Sequence, residues 1–240
     1  MATRFAWALL LVGALAWGGN VLTTDEMPPY SFRDADRQMQ GAAYALVTAL
    51  AARIPEPPML DIVPWARAVE TTRSNPGTLM YPLARTPSRE SSYSWVMPLL
   101  TDDIVLVSKP SFIADPGKPM RVGVMRGSVI QELLGPQGVM RWDESPDQST
   151  AFRKMVAGRT DAWISTREVA EYIIRSGGGD TTQYRFSSPV ARVVLYLAAN
   201  PAYPAEQAKQ WQAAMNAIRQ DGTLAAIKAR YEKGPLIVAP

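Results

Sequence analysis

The sequence predicts an α/β protein of two lobes, each a mostly parallel sheet flanked by helices. Three observations carry the prediction. Short apolar strands alternate with amphipathic helices along the chain, the pattern of parallel strands joined by crossover helices. The pattern restarts near residue 110. A long apolar strand and two helices then follow, surplus to a second lobe, so the chain is expected to return and complete the first. Two crossings between lobes make a hinge above a cleft.

Residues 21–24 read as a first strand, stopped by Pro28-Pro29. Residues 41–53 read as a helix with Tyr44, Leu46, Val47 and Leu50 on its apolar face, ended by Pro55, Pro57 and Pro58. A buried strand is expected at 59–63. A helix over 65–73 follows Pro64, a residue suited to a helix start. Strands at 78–81 and 104–107 close the first half.

The second half opens with a strand at 121–125. Gly127-Ser128 punctuates it, and Ser128 suits the N-cap of a helix running to Leu134. A strand at 139–142 precedes a helix at 149–157 with Phe152, Met155 and Val156 inside. A strand at 161–164 leads to Ser165 or Thr166 as the cap of a helix reaching Arg175, and Gly177-Gly178-Gly179 stops it. The strand at 192–199 is long and apolar. Two closing helices carry Trp211, Met215 and Ile218, then Leu224, Ile227 and Tyr231, with Asp221-Gly222 between them. Trp211 and Tyr231 therefore read as core.

Composition narrows the function classes. The chain has 240 residues, 47% hydrophobic and 20% charged, which argues against disorder and against a multi-pass membrane protein. The net charge of +3, from 25 basic and 22 acidic residues without like-charge runs, argues against nucleic-acid binding. There is no His and no Cys. That excludes Ser–His or Cys–His catalysis, His-ligated metal, disulfides and a lipoprotein anchor. Asp102-Asp103 lacks a third acidic neighbour, so neither a metal site nor a cofactor is expected.

Residues 1–16 read as a secretion signal. Arg4 gives the positive start, residues 5–16 are apolar, and Ala14-Leu15-Ala16 matches a small-x-small cleavage site. The run falls short of the ~20 residues needed to span a bilayer. The mature chain is expected to be soluble outside the inner membrane.

The candidate site residues fall in three groups. Arg85, Thr86 and Arg89 form the densest polar cluster, where two guanidinium groups suit a carboxylate. Arg126, Gly127 and Ser128 lie where a strand meets a helix start, an arrangement suited to anions. Tyr30 and Trp65 sit at strand-to-helix turns, the edge where open α/β sheets bind ligands. Asp25 and Glu26 precede the Pro-Pro turn near the same edge.

In their order and spacing, these segments resemble the extracellular solute-binding proteins of family 3. The residues carrying the resemblance include Pro29-Tyr30, Val63-Pro64-Trp65-Ala66-Arg67-Ala68 and Tyr81 to Glu90. Val122-Gly123-Val124 to Gly127-Ser128, Gly158-Arg159-Thr160-Asp161-Ala162 and Asp221-Gly222-Thr223-Leu224 extend it. The resemblance implies a periplasmic-binding-protein type II fold that closes on a small solute. The first lobe would be residues 17–106 with 188–240, the second an insertion at 107–187, joined by a two-stranded hinge. Arg89 would clasp a carboxylate, Tyr30 would cover the solute, and Gly127-Ser128 would grip it from the second lobe. The place of the family's ammonium-binding Asp falls on Thr166, a neutral residue, which points to an anionic or largely neutral solute rather than an ordinary amino acid.

The resulting expectation is a monomeric periplasmic binding protein for a small polar or anionic, amino-acid-like solute. It would present that solute to an inner-membrane permease or a sensor, without catalysis. The alternative is an enzyme on the same scaffold, similar to cyclohexadienyl dehydratases, with Glu26 as the general acid. A buried Glu26 facing Arg85 and Arg89 favours that alternative, and an exposed Glu26 opposes it. A pure interaction module is the third class.

Overall fold

The computed structural model describes residues 21–135, 138–231 and 236–237. The expected secretion signal at 1–16 lies outside them. Strand β1 (Val21–Thr24) is followed by a two-strand hairpin, β2 (Phe32–Arg33) with β3 (Met39–Gln40), and helix α1 (Ala42–Ala51). Then come β4 (Met59–Ile62), α2 (Trp65–Ser74), β5 (Thr78–Ala84), a 3₁₀ turn at Pro87–Ser92, and β6 (Ser94–Ser108). The next elements are β7 (Met120–Met125), α3 (Val129–Leu134), β8 (Met140–Ser145), α4 (Gln148–Val156), β9 (Ala162–Thr166) and α5 (Arg167–Ser176). The described chain closes with β10 (Arg185–Phe186), β11 (Ala191–Ala199), α6 (Ala205–Gln220), α7 (Thr223–Arg230) and β12 (Leu236–Ile237).

The main sheet runs β4-β1-β5-β11-β6-β9-β7-β8, with β10 and β12 also on β6. Its two ends are parallel, β4-β1-β5 on one side and β9-β7-β8 on the other. The middle is antiparallel, where β11 returns between β5 and β6. Strand β11 thus makes the α/β sheet mixed rather than purely parallel.

Strand β6 joins the two ends. Residues from Ser94 to Ile104 pair with β11, and Ile104 to Val107 pair with β9. The sequence indicates only 104–107 as strand, because Pro98 and Asp102-Asp103 interrupt the apolar pattern. The structure accommodates Pro98 opposite Tyr196, next to a register shift in β11, as expected for a residue without an N–H to give. Asp103 is answered across the ladder by Arg192, 2.9 Å away. Strand β5 likewise continues past Tyr81, where a loop is expected, to Ala84, and every residue in it is buried.

Three apolar clusters hold these layers. The largest packs α1 and α6 against β5 and β6, through Leu46, Leu50, Leu99, Trp211 and Ile218. A second, on the opposite face, sets Ala68 of α2 against Met80, Leu83 and Ala198. The third lies between α4, α5 and the far half of β6, around Trp163, Met155 and Ile174. Burying both faces of β5 explains why it reads as a near-continuous apolar run.

Gly41 fixes the approach to the site. It sits at φ 111°, and a Cβ there would lie 2.3 Å from the Tyr30 carbonyl oxygen. That oxygen accepts from the N–H groups of Ala43 and Tyr44 in the first turn of α1. The helix start therefore holds the backbone of Tyr30 in place, and only glycine permits so close an approach.

Candidate functional site

A cavity of about 620 Å³ opens where the C-terminal ends of β1, β5, β7 and β9 meet. Its wall includes Tyr30, Trp65, Arg89, Gly127, Ser128 and Thr166. Six of the nine sequence-predicted residues therefore meet around one space, from five separate segments. Such a crevice beyond the strand ends is where open α/β sheets hold ligands.

Arg89 is the cation of this wall. It lies in the 3₁₀ turn after β5, half-buried, with Nη1 donating to the Ala84 carbonyl at 3.1 Å. Its guanidinium stands 5.9 Å from the centre of the Trp65 ring. Among the described residues no carboxylate comes within ion-pair distance of it. Burial lowers its pKa from the ordinary arginine value, the expected sign for a cation taken from water. Trp65 is fixed in turn by Asp25, whose carboxylate accepts from the Trp65 N–H at 2.9 Å at the start of α2.

Arg85, Thr86 and Arg126 lie outside the cavity wall, so the expected Arg85–Arg89 pair does not form. Arg85 turns away and lies between Trp95 and Tyr196, at 5.4 and 5.5 Å from their ring centres. Its guanidinium grips Glu90. Along the extended backbone before the 3₁₀ turn it falls on the opposite side of the strand end. Thr86 is buried and shares a hydrogen bond with Ser88 at 3.1 Å. Arg126 points to solvent and faces Glu144 at 3.4 Å, because Gly127 turns the chain at φ 68°. Ser128 meets its expected capping role, accepting from the Ile130 N–H.

Glu26 lines the mouth of the cavity, but its side chain is 45% exposed and paired with Arg33 at 3.1 Å. It faces neither Arg85 nor Arg89 as an ion-pair partner. The observation that would favour acid catalysis by Glu26 is thus missing from its surroundings.

Thr166 occupies the N-cap position of α5, yet its side chain makes no capping bond. Its Oγ1 lies 2.8 Å from the Tyr30 hydroxyl instead. Tyr30 is buried, and its hydroxyl donates to Asp102 Oδ2 at 2.6 Å. Asp102 is the residue that sequence reasoning missed. In the sequence it stands as half of an acidic pair, whereas on β6 it lies in phase with buried Leu100 and Ile104. That two-residue phase was the available signal.

Two further contacts cross between the same two groups of strands. Ser88, after β5, donates its N–H and its hydroxyl to the Glu132 carboxylate of α3, each at 2.8 Å. Phe32 of β2 meets Tyr172 of α5 edge-on at 5.3 Å. Together with Tyr30–Thr166 they tie the β1–β5 end of the sheet to the β7–β9 end.

Glu168, at the start of α5, has its pKa raised to about 7. Burial is the main cause, and the Asp102 and Glu171 carboxylates add to it. A raised carboxyl contributes stability below its unfolded value, and that contribution is lost as pH rises through the folded value. Glu168→Gln should therefore melt like the wild type near pH 4.5, and above it near pH 8. Superimposable melting-temperature profiles from pH 4.5 to 8 would contradict this.

Comparison with known proteins fits this geometry. The sequence model of the bacterial extracellular solute-binding proteins, family 3, matches residues 20–234. No curated protein matches the chain. Among solved structures, a histidine kinase sensor domain similar to periplasmic binding proteins superposes with TM-score 0.78 at 18% identity, covering 91% of this chain and 98% of its own. A substrate-binding protein of an uptake transporter from Streptococcus pneumoniae, with bound histidine, gives 0.74 at 15% identity, with 92% and 95% covered. An ancestral amino-acid-binding protein, a precursor of cyclohexadienyl dehydratase, gives 0.67 at 20%, with 88% and 94% covered. At these identities the likeness establishes the periplasmic-binding-protein fold. Among the described residues no helix is long and apolar enough to cross a membrane.

Proposed function

The chain belongs to the bacterial extracellular solute-binding proteins of family 3, and we propose that it captures a small carboxylate-bearing solute in the cavity around Arg89. The observation that carries the reading is a half-buried guanidinium on the cavity wall over Trp65, with no carboxylate within ion-pair distance among the described residues. Such a group loses hydration without a protein counter-ion, and a solute carboxylate restores the balance through charge-assisted bonds. Relatives of the same fold bind arginine, histidine and cysteine.

The working parts are two lobes, residues 17–106 with 188–240 and residues 107–187, hinged on β6. Ser88–Glu132 and Phe32–Tyr172 already join the two parts in this structure, and the solute would add its own contacts across the gap. We assign the protein to the periplasm, delivered by the signal at 1–16, and read its action as capture without turnover. Its partner would be a membrane permease or a sensor that recognises the closed form, in keeping with the uptake-transporter and sensor-domain relatives.

Thermal unfolding of the mature protein against L-arginine, L-histidine, L-cysteine, L-glutamine, simple carboxylic acids and dicarboxylic acids tests the reading. A solute at 100 times its Kd adds about 2.7 kcal/mol, or roughly 5–10 °C in Tm for a chain of this size. A shift from a carboxylate, with the compound recovered unchanged, supports capture. Consumption of the compound would replace this reading with an enzymatic one.

A further inference from the structure

Ser88 and Glu132 meet across the cleft from outside the cavity wall. Both are exposed, and neither lines the cavity. The other contacts between the two ends of the sheet differ in this, since Tyr30, Thr166 and Tyr172 all belong to the wall.

The start of the 3₁₀ turn explains the contact. Thr86, at its N-cap, makes no side-chain capping bond. Pro87 has no N–H to give. The Arg89 N–H is met by the Thr86 carbonyl at 3.0 Å. Ser88 is left with a donor that needs a cap, and the cap comes from α3, at the other end of the sheet. Glu132 takes both the N–H and the hydroxyl of Ser88 at 2.8 Å each. The Ser88 N–H holds the Glu132 carboxyl below the ordinary carboxylate range, so at neutral pH both bonds are charge-assisted. Ile130, buried on the same helix, anchors α3 behind them.

We propose that Glu132 is a latch that holds the cleft shut through Ser88 with or without solute, so that entry and exit both wait for its release. The inference rests on the two-lobe reading above. The turn that Glu132 caps is the turn that carries Arg89, so shutting the cleft also fixes the backbone that presents the guanidinium.

Such a latch has a kinetic signature. It touches no solute, so it favours the shut form of the empty and of the loaded protein by the same factor. Its loss should speed association and dissociation together and leave Kd nearly unchanged, for every solute alike.

Glu132→Ala removes the carboxylate. Ser88→Ala, on the opposite side, removes one of the two bonds and guards against misfolding of the first variant. Small-angle X-ray scattering compares the two variants with the wild type, all without solute. Stopped-flow tryptophan fluorescence then gives rate constants with L-histidine, L-glutamine and glutarate. The expected result is a larger radius of gyration for Glu132→Ala and a smaller increase for Ser88→Ala. With any probe that binds, both rate constants should rise about tenfold in Glu132→Ala, while Kd moves by less than about threefold. Equal radii for the three proteins overturn the latch, and so do unchanged rates. Faster dissociation alone also overturns it, since Glu132 would then act only after the solute has entered. Scattering needs no solute: if no probe binds, capture at Arg89 falls, and the radii still decide the latch.

Discussion

Arg89→Met is expected to abolish solute binding while leaving the empty protein as stable as the wild type, or more so. A bidentate carboxylate contact provides two charge-assisted bonds of about 1.5–3 kcal/mol each. Their loss weakens binding by about a hundredfold or more. In the empty protein the guanidinium is half-buried, with one bond to a carbonyl and no carboxylate partner among the described residues. Burying an unpaired charge costs free energy, and Met keeps the aliphatic stem against Trp65 without that cost. Arg89→Lys keeps the charge but not the planar fork, so it should fall between the two. The measurement is a pair of melting curves per variant, with and without the best carboxylate from the thermal screen. An Arg89→Met protein that still shifts with the solute would remove Arg89 from the site.

Trp163→Ala should give the largest loss of stability among single substitutions in the half of the sheet around β9. The indole is fully buried against Met155 and Ile174, and it tilts against Phe152 at 5.3 Å between ring centres. Removing a buried Trp costs about 3–5 kcal/mol, through lost transfer energy and the cavity left behind. At this chain length that is about 2–4 °C of Tm per kcal/mol. The indole N–H also donates to Gln148 Oε1 at 2.9 Å, and Gln148 lines the solute cavity. Trp163→Phe retains most of the packing and breaks only this bond. It should therefore perturb binding more than stability, whereas Trp163→Ala should lower both. Urea melts of the two variants measure the split, and a loss below about 1 kcal/mol for Trp163→Ala would mean that the cluster collapses around the gap.

Much of the scaffold was legible along the chain. The helices at 41–53, 65–73, 149–157 and up to Arg175 were marked by apolar spacing, with prolines after the first, Pro64 before the second, and Ser165 or Thr166 as the cap of the last. Their observed bounds lie within a few residues. The strands buried on both faces were visible as apolar runs, apart from the stretches of β5 and β6 that a proline or an acidic pair interrupts. The hairpin of β2 and β3 was missed, since strands of two residues leave no period to read.

The site was legible in part, and the physical reason differs by residue. Tyr30, Trp65, Gly127, Ser128 and Thr166 sit at strand ends, and strand ends are countable from sequence. Arg85 and Arg89 looked equivalent because both are basic, four positions apart and near Glu90. Their difference depends on which side of the turn each side chain leaves. One falls between Trp95 and Tyr196 beside Glu90, and the other enters the cavity over Trp65.

By itself, then, the sequence determined most of the elements, their α/β order and the strand-end residues, because local spacing and backbone chemistry carry that information. Only the tertiary structure decided which cation faces the cavity without a carboxylate partner among the described residues, and where the buried carboxylate stands. Ion pairing and hydrogen-bond direction depend on atoms brought within about 3 Å of one another. Tyr30, Asp102 and Thr166 come from three distant segments and meet only when β6 and β9 pair beneath the start of α1.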